Sequence, residues 1–429
     1  MSKLYLYLTA TTLRSWQMNK TIIGFSQKMI LLQIIFWVSL VALAHTYIVY
    51  PLLLKVLAGF SSPLPPSSGR QNSQQPVSIL IAAYNEEKVI KGKLNSIFNS
   101  DYPKDKIEVI VGSDASTDQT NEIVKSFPGV QLVEFKGRSG KVKIINHLKT
   151  LAKYDTLILT DANVLLDKNT IQELTKHFIN PEIALVDSNM QSINQQGGIS
   201  KAESTYIRGE VGIKNNEGKV FGMMMGPFGG CYAVRKNFYE PVPENFLVDD
   251  FYVNMKALEK GGKAISEINA KVYEEIPTGW KIEFERKIRI ATGSFQNLKA
   301  FFHLLFRFNT LSFCFLSHKV LRWFGPFFMM ALFVSNLYFF FISMLFERFT
   351  SSLFDESFLF PANIYTVIFL LQSLALILLL LDLLLKLIGV NILLTRLATH
   401  FFSTNLALVI GFFKFVGGVR SSVWQPTKR

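Results

Sequence analysis

The strongest constraint on this chain is where its long apolar runs fall. A helix needs about 20 mostly apolar residues to cross a bilayer. Residues 30–54 meet that length between Lys28 and Lys55, and three further runs follow late in the chain, at 324–346, 364–388 and 393–415. The first is too long for a signal-peptide core and no small-residue cleavage pattern follows it, so it reads as an anchor. Between the two apolar blocks the texture is that of an aqueous domain. The chain must therefore fold as a domain inserted between one N-terminal and about three C-terminal transmembrane helices. The last run is interrupted by Arg396, His400, Thr404 and Asn405. A re-entrant or interfacial segment is its alternative reading.

Charge follows the same division. The chain carries a formal net charge of +13, yet residues 77–299 account for +1 of it and the flanks for +12. A nucleic-acid-binding domain would carry the excess on the domain itself, so no nucleic acid is expected. Basic flanks beside apolar runs fit a membrane protein that contacts lipid headgroups. Lys319 and Arg322, opposite an acidic loop at 347–363, place the central domain in the cytoplasm. Arg420, Lys428 and Arg429 prefer the cytoplasm too, which conflicts with three full spans after the domain. Two cysteines give no disulfide framework, and six scattered histidines give no structural zinc site.

The expected divisions are a tail (1–29), a transmembrane helix (30–57), a linker (58–76), an α/β domain (77–280), interfacial helices (281–318), a C-terminal transmembrane region (319–419) and a tail (420–429). The linker is rich in Pro, Ser and Gln. Short β-branched runs at 77–83, 107–113, 130–135, 155–161 and 182–188 predict strands. Helices are expected between them, at 86–98, 118–126, 140–152 and 167–178, the last capped by Asp167. Alternation of this kind predicts an α/β fold with a mostly parallel sheet, whose ligands bind at the carboxyl ends of the strands.

Acidic clusters sit at those ends: Tyr84-Asn85-Glu86-Glu87, Asp114 to Asp118, and Asp161-Ala162-Asn163. A fourth lies further on, at Asp249-Asp250. Singly, each is what a strand end or helix cap favours. Jointly they fit a nucleotide-sugar site. Asp161 with Asn163 offers oxygen ligands to Mg²⁺ or Mn²⁺ bridging a diphosphate. Arg138, Lys141 and Lys143 would face the phosphates. Asp382, deep in a Leu-rich span, is expected to pair with Lys386 one turn later.

The strings IAAYNEE, DASTD, GRSGK, TDAN, GPFGGCYAVRK and VDDF, in this order, resemble a family 2 glycosyltransferase. The likeness is to the membrane-bound branch that includes cellulose, hyaluronan and poly-N-acetylglucosamine synthases. It implies a GT-A type nucleotide-sugar-binding domain. Ala83, Tyr84, Glu86, Asp114, Lys141 and Asp161 would bind the nucleotide sugar, with Asp114 on uracil. Asp161 and Asn163 would hold the metal, Asn163 replacing the second Asp of the family's D-x-D. Asp250 would be the catalytic base, with Asp249 where Glu is usual. Gly230 and Cys231 match an acceptor-side loop. The processive enzymes carry Q-x-x-R-W on an interfacial helix. Here Arg286 stands for the Gln, Arg289 keeps the Arg, and Ile290 replaces the Trp. Arg286 and Arg289 would serve the acceptor or the diphosphate.

The resemblance implies an inverting transfer from a UDP-linked sugar to a growing polysaccharide or glycan, in a bacterial-type plasma membrane. Single-sugar transfer to a membrane lipid or lipid-linked acceptor is the alternative, favoured by Ile290. A non-catalytic sensor or scaffold is the distant one.

Overall fold

The computed structural model describes residues 27–61, 74–193, 198–275, 279–350 and 362–419. Most of the expected linker, Asp355 and Glu356 of the acidic loop, and the charged C-terminal tail lie outside the described residues.

The N-terminal apolar run is one long helix, α1 (Gln27–Phe60), with a π-helical stretch at His45–Val49. The domain begins with strand β1 (Val77–Ala83), buried on both faces, which explains why its sequence is apolar but for Ser78. Then come α2 (Ile90–Phe98), β2 (Ile107–Ser113), α3 (Thr120–Lys125), β3 (Val130–Glu134), α4 (Lys141–Leu151), β4 (Thr156–Thr160), β5 (Leu165–Leu166) and α5 (Thr170–Thr175). Asp167, expected as the cap of α5, does not occupy that position. Its carboxylate accepts the Tyr273 hydroxyl at 3.1 Å, and Asn169 occupies the cap position. The domain continues with β6 (Ile183–Ser192), α6 (Gly198–Phe221), β7 (Cys231–Arg235), α7 (Asp249–Glu259), β8 (Lys263–Glu274) and α8 (Trp280–Ala300).

The eight strands form one sheet, in the order β3-β2-β1-β4-β7-β6-β8-β5. β3, β2, β1 and β4 run parallel, β7 is antiparallel to both its neighbours, and β6 pairs parallel with β8. The winding reverses between β1 and β4. That is the switch point at which an open α/β sheet leaves a crevice beyond its strand ends. Two apolar layers cover the sheet, and one of them is continuous with α8 and the segment at 301–323. Interfacial helices were expected at 281–318, and α8 supplies the first of them. The remainder is a series of short helical turns, including a π-helical one at Phe315–Val320.

Three apolar helices follow: α9 (Gly325–Thr350), α10 (Ala362–Leu387) and α11 (Leu393–Val416). α1, α9 and α10 pack as a bundle. Phe36 meets Phe339 and Tyr365, and Asn336 donates to Gln372 at 3.1 Å. Tyr47, near the domain end of α1, lies against Gly325 at the start of α9. Because α10 runs back antiparallel to α9, Asp382 returns to this same level. Its partners are not Lys386 but Thr395 and Thr399 of α11, at 2.8 and 2.7 Å, and Arg396 at 3.4 Å. A charge facing the bundle finds its counter-charge on the next helix, whereas a lysine one turn along its own helix faces outward.

All the named partners of α11 lie at this domain-side level. They run from Asp382 through Lys287, Tyr47, Gly325 and Ala291 to Asn245, which donates to the Val419 carbonyl. A Cβ added at Gly411 would lie 2.5 Å from the Ala291 Cβ, so glycine is what lets α11 and α8 touch backbone to backbone. Toward the protein α11 buries Thr395, Arg396, Asn405 and Gly411, while Leu394, Leu406, Phe413 and Val416 are exposed.

Candidate active site

The crevice at the switch point has two ends, one where the nucleotide is expected and one where the reaction is expected. At the first, the turns after β1 and β2 are tied together. Asn85 and Ala115 both adopt left-handed backbone, with φ of 51° and 57°. Such strain persists only where surrounding contacts over-determine it. Here Thr117 N–H donates to Asn85 Oδ1 and Glu86 N–H to Thr120 Oγ1, each at 2.8 Å. Ala83 is buried and contributes its carbonyl, which accepts from Asp114 N–H at 2.8 Å.

Asp114 is fully buried and faces the 137–140 loop. Its carboxylate accepts from Arg138 Nε at 3.0 Å, from Gly140 N–H at 3.2 Å and from Ser139 N–H. Arg138 in turn lies 3.3 Å from the Tyr84 ring centroid. Three of the acceptor positions of Asp114 are thus committed to shaping the pocket wall, and the wall presents a guanidinium stacked on a phenol ring.

At the reaction end, Gly140 (φ 85°) caps α4 and turns Lys141 inward. Lys141 Nζ is 2.8 Å from Asp161 Oδ1 and 3.7 Å from Asp249 Oδ2. Burial works against its charge, but the two carboxylates outweigh it and its pKa rises. Asp161 is held at the strand tip by its N–H, which donates to the Gly230 carbonyl at 2.9 Å. Asp249 and Asp250 open α7, where the helix dipole favours carboxylates. A Cβ on Gly229 would sit 3.0 Å from Asp250 Cγ, so glycine is needed for the carboxylate to lie there. Burial, and then the charge of Asp249, push the Asp250 carboxyl up to about 7, against the opposing pull of Lys141.

A divalent ion would find oxygen donors at Asp161 and Asn163. The Asn163 Nδ2 donates to Glu274 at 3.1 Å, which leaves its amide oxygen as the free acceptor. Among the described residues no three His, Cys, Asp or Glu side chains cluster to hold a metal on their own. The donor set thus fits an ion that arrives with a diphosphate and keeps waters, as Mg²⁺ and Mn²⁺ do.

Cys231 needs correction. It is fully buried in β7, its thiol among core residues, so it reaches no acceptor. Gly230 acts through its carbonyl, which accepts Thr160 Oγ1 and Asp161 N–H. Arg286 lies 3.6 Å from Glu283, one turn back on α8, while Arg289 opens into a cleft beside α11.

Three residues of the site were not singled out from sequence. Lys93 is fully buried under the Asp161 turn, donating to Thr160 Oγ1 at 2.6 Å and to the Val164 carbonyl. Burial lowers its pKa to about 8, partly offset by Cys231 and Asp161. Its signal was there: Lys93 interrupts the apolar face formed by Ile90, Leu94 and Ile97. The other two are Asp187 and Lys214, a buried pair at 2.6 Å. Asp187 also accepts Phe228 N–H at 2.6 Å, which pins the loop just before Gly229.

Residues 78–242 match the sequence model of Glycosyl transferase family 2. The chain is 26% identical over 297 residues to Probable glycosyltransferase YdaM of Bacillus subtilis, covering 63% of this chain and 69% of the relative. It is 26% identical over 146 residues to poly-beta-1,6-N-acetyl-D-glucosamine synthase of Staphylococcus epidermidis, covering 33% and 35%. A solved structure of the mannosyltransferase PcManGT from Pyrobaculum calidifontis, in complex with GDP-Man and Mn2+, superposes with a TM-score of 0.63. Its sequence identity is 18%, over 90% of this chain and 99% of that one. The order of sheet and helices, the crevice at the switch point and the matched profile agree: the central domain is a family 2 glycosyltransferase domain of the GT-A type, and the protein is a glycosyltransferase that acts on a nucleotide sugar.

Proposed function

We propose that the protein is a membrane-anchored inverting glycosyltransferase, and that it transfers one sugar from a UDP-type donor to an acceptor presented at the membrane surface. The observation that supports this most directly is the position of Asp250, a half-buried carboxylate raised to about 7 beside the Asp161–Lys141 pair. The acceptor hydroxyl gives its proton to Asp250 as its oxygen attacks the anomeric carbon. The bond from that carbon to the diphosphate breaks on the opposite face, and the nucleoside diphosphate leaves. Lys141 stabilises the charge that develops on the leaving group. Arg138 and Tyr84 hold the nucleotide end. Asp161 and Asn163 would hold Mg²⁺ or Mn²⁺, which supplies further charge neutralisation at the diphosphate.

In this reading three helices, α1, α9 and α10, cross the membrane. α11, about 36 Å long from its 24 residues, lies flat on the domain-side surface. Both its ends meet domain-side partners, its polar and small residues face the protein, and its exposed residues are apolar. This arrangement removes the conflict between three full spans and a basic C-terminal tail on the cytoplasmic side.

A growing polysaccharide as acceptor is the second reading, favoured by the similarity to the poly-beta-1,6-N-acetyl-D-glucosamine synthase. Ile290, exposed where processive enzymes of this family carry the stacking Trp, favours the single transfer. Purified protein given UDP-glucose, UDP-N-acetylglucosamine, UDP-galactose or GDP-mannose, with product length read out, tests both. Polymer would overturn single transfer, and no nucleotide release from any donor would overturn the assignment of this site.

A further inference from the structure

A cleft of about 290 Å³ opens between α8 and α11, and two cations converge on it: Arg289 and Lys414. Neither has a hydrogen bond or ion pair among the described residues. The one acidic side chain lining the cleft is Glu285, and the walls are apolar at Leu247, Ile288 and Val419. Arg289 lies within electrostatic reach of Asp161, Asp249 and Asp250, so the cleft adjoins the reaction end of the site. Lys414 sits between Phe413 and Val416, each 64% exposed on the outward face of α11.

We propose that this cleft binds the phosphate of a lipid-borne acceptor. Two unpaired cations suit a phosphate better than a neutral sugar, because each would otherwise keep its water shell. The exposed apolar residues on either side of Lys414 give the lipid chain a path into the bilayer. The donor diphosphate has a cation of its own in Lys141, at the start of α4 beside Asp161. The acceptor is then a phosphate-bearing lipid whose reacting hydroxyl extends from the cleft toward Asp250. This deepens the proposed function, on whose membrane-surface acceptor it rests.

The test is direct binding to the full chain in detergent, by native mass spectrometry. Two probes are used: a polyprenyl-diphosphate N-acetylglucosamine, and octyl β-N-acetylglucosaminide, which lacks phosphate. The diphosphate lipid is expected to bind the tighter. Lys414→Gln should weaken it about tenfold, and Glu285→Gln should tighten it, while affinity for UDP stays unchanged in both. Glu285→Gln keeps the test informative if a cation variant folds poorly. Equal binding of the two probes, or the same loss of UDP affinity in Lys414→Gln, would overturn the proposal, the second by giving the cleft to the donor. Because binding is read without turnover, failure to release nucleotide would count against the catalytic reading alone.

Discussion

The raised carboxyl of Asp250 predicts a specific pH dependence. A base must be ionised to accept a proton, so transfer should follow the ionised fraction of a group titrating at about 7. That fraction is about a tenth at pH 6 and about nine tenths at pH 8, so kcat/KM should rise about tenfold between them. The causes are separable by mutation because they carry opposite signs. Asp249 raises the pKa of Asp250 and Lys141 lowers it. Asp249→Asn should move the limb down by about one pH unit, and Lys141→Met should move it up. Both changes also lower the plateau, since both disturb the Lys141–Asp161–Asp249 cluster, so the position of the limb is the readout. Asp250→Asn should lower kcat by about 10²- to 10⁴-fold with UDP affinity retained. A profile flat from pH 6 to 8, or a limb that moves the same way in both neighbours' variants, would refute the assignment. Stability carries the matching sign. The folded pKa of Asp250 lies above its ordinary 3.8, so its contribution is complete below pH 4 and is lost as pH rises through 7.

Other outcomes follow from single contacts. Lys93→Met removes the donor to Thr160 and Val164 and should cost about 1–3 kcal/mol, seen as a lowered Tm. Gly229→Ala brings a methyl against the Asp250 carboxylate, so kcat should fall while the Tm holds. Chelation should abolish transfer, with Mg²⁺ or Mn²⁺ restoring it, and Asn163→Asp should lower the metal concentration needed. Single cysteines placed at 389 and 418, in a chain whose two native thiols are buried, should both react with an impermeant reagent from the domain's side. Labelling from opposite sides would make α11 a span.

The sequence alone determined the partition of the chain, the strands and the acidic tips. Each depends on local order: a run of β-branched residues commits to a strand, and a polar residue at its end cannot enter the core. β1 and β2 fall where their apolar runs do because a run apolar on both faces leaves water only by entering the middle of a covered sheet. What tertiary structure decided were the partners. Asp382 met Arg396 rather than Lys386, because the polar face of α11 packs against the end of α10. Asp114 found its partners in a loop 23 residues or more downstream, which folds onto it and joins it to the pocket wall. Cys231 was lost to the core when β7 entered the sheet antiparallel between β4 and β6. The course of α11 was likewise undecidable from hydropathy. Its apolar content sets only that one face seeks lipid, and whether it crosses the bilayer or lies upon it depends on which residues receive its polar side. Long-range contacts make that choice, and no local pattern encodes them.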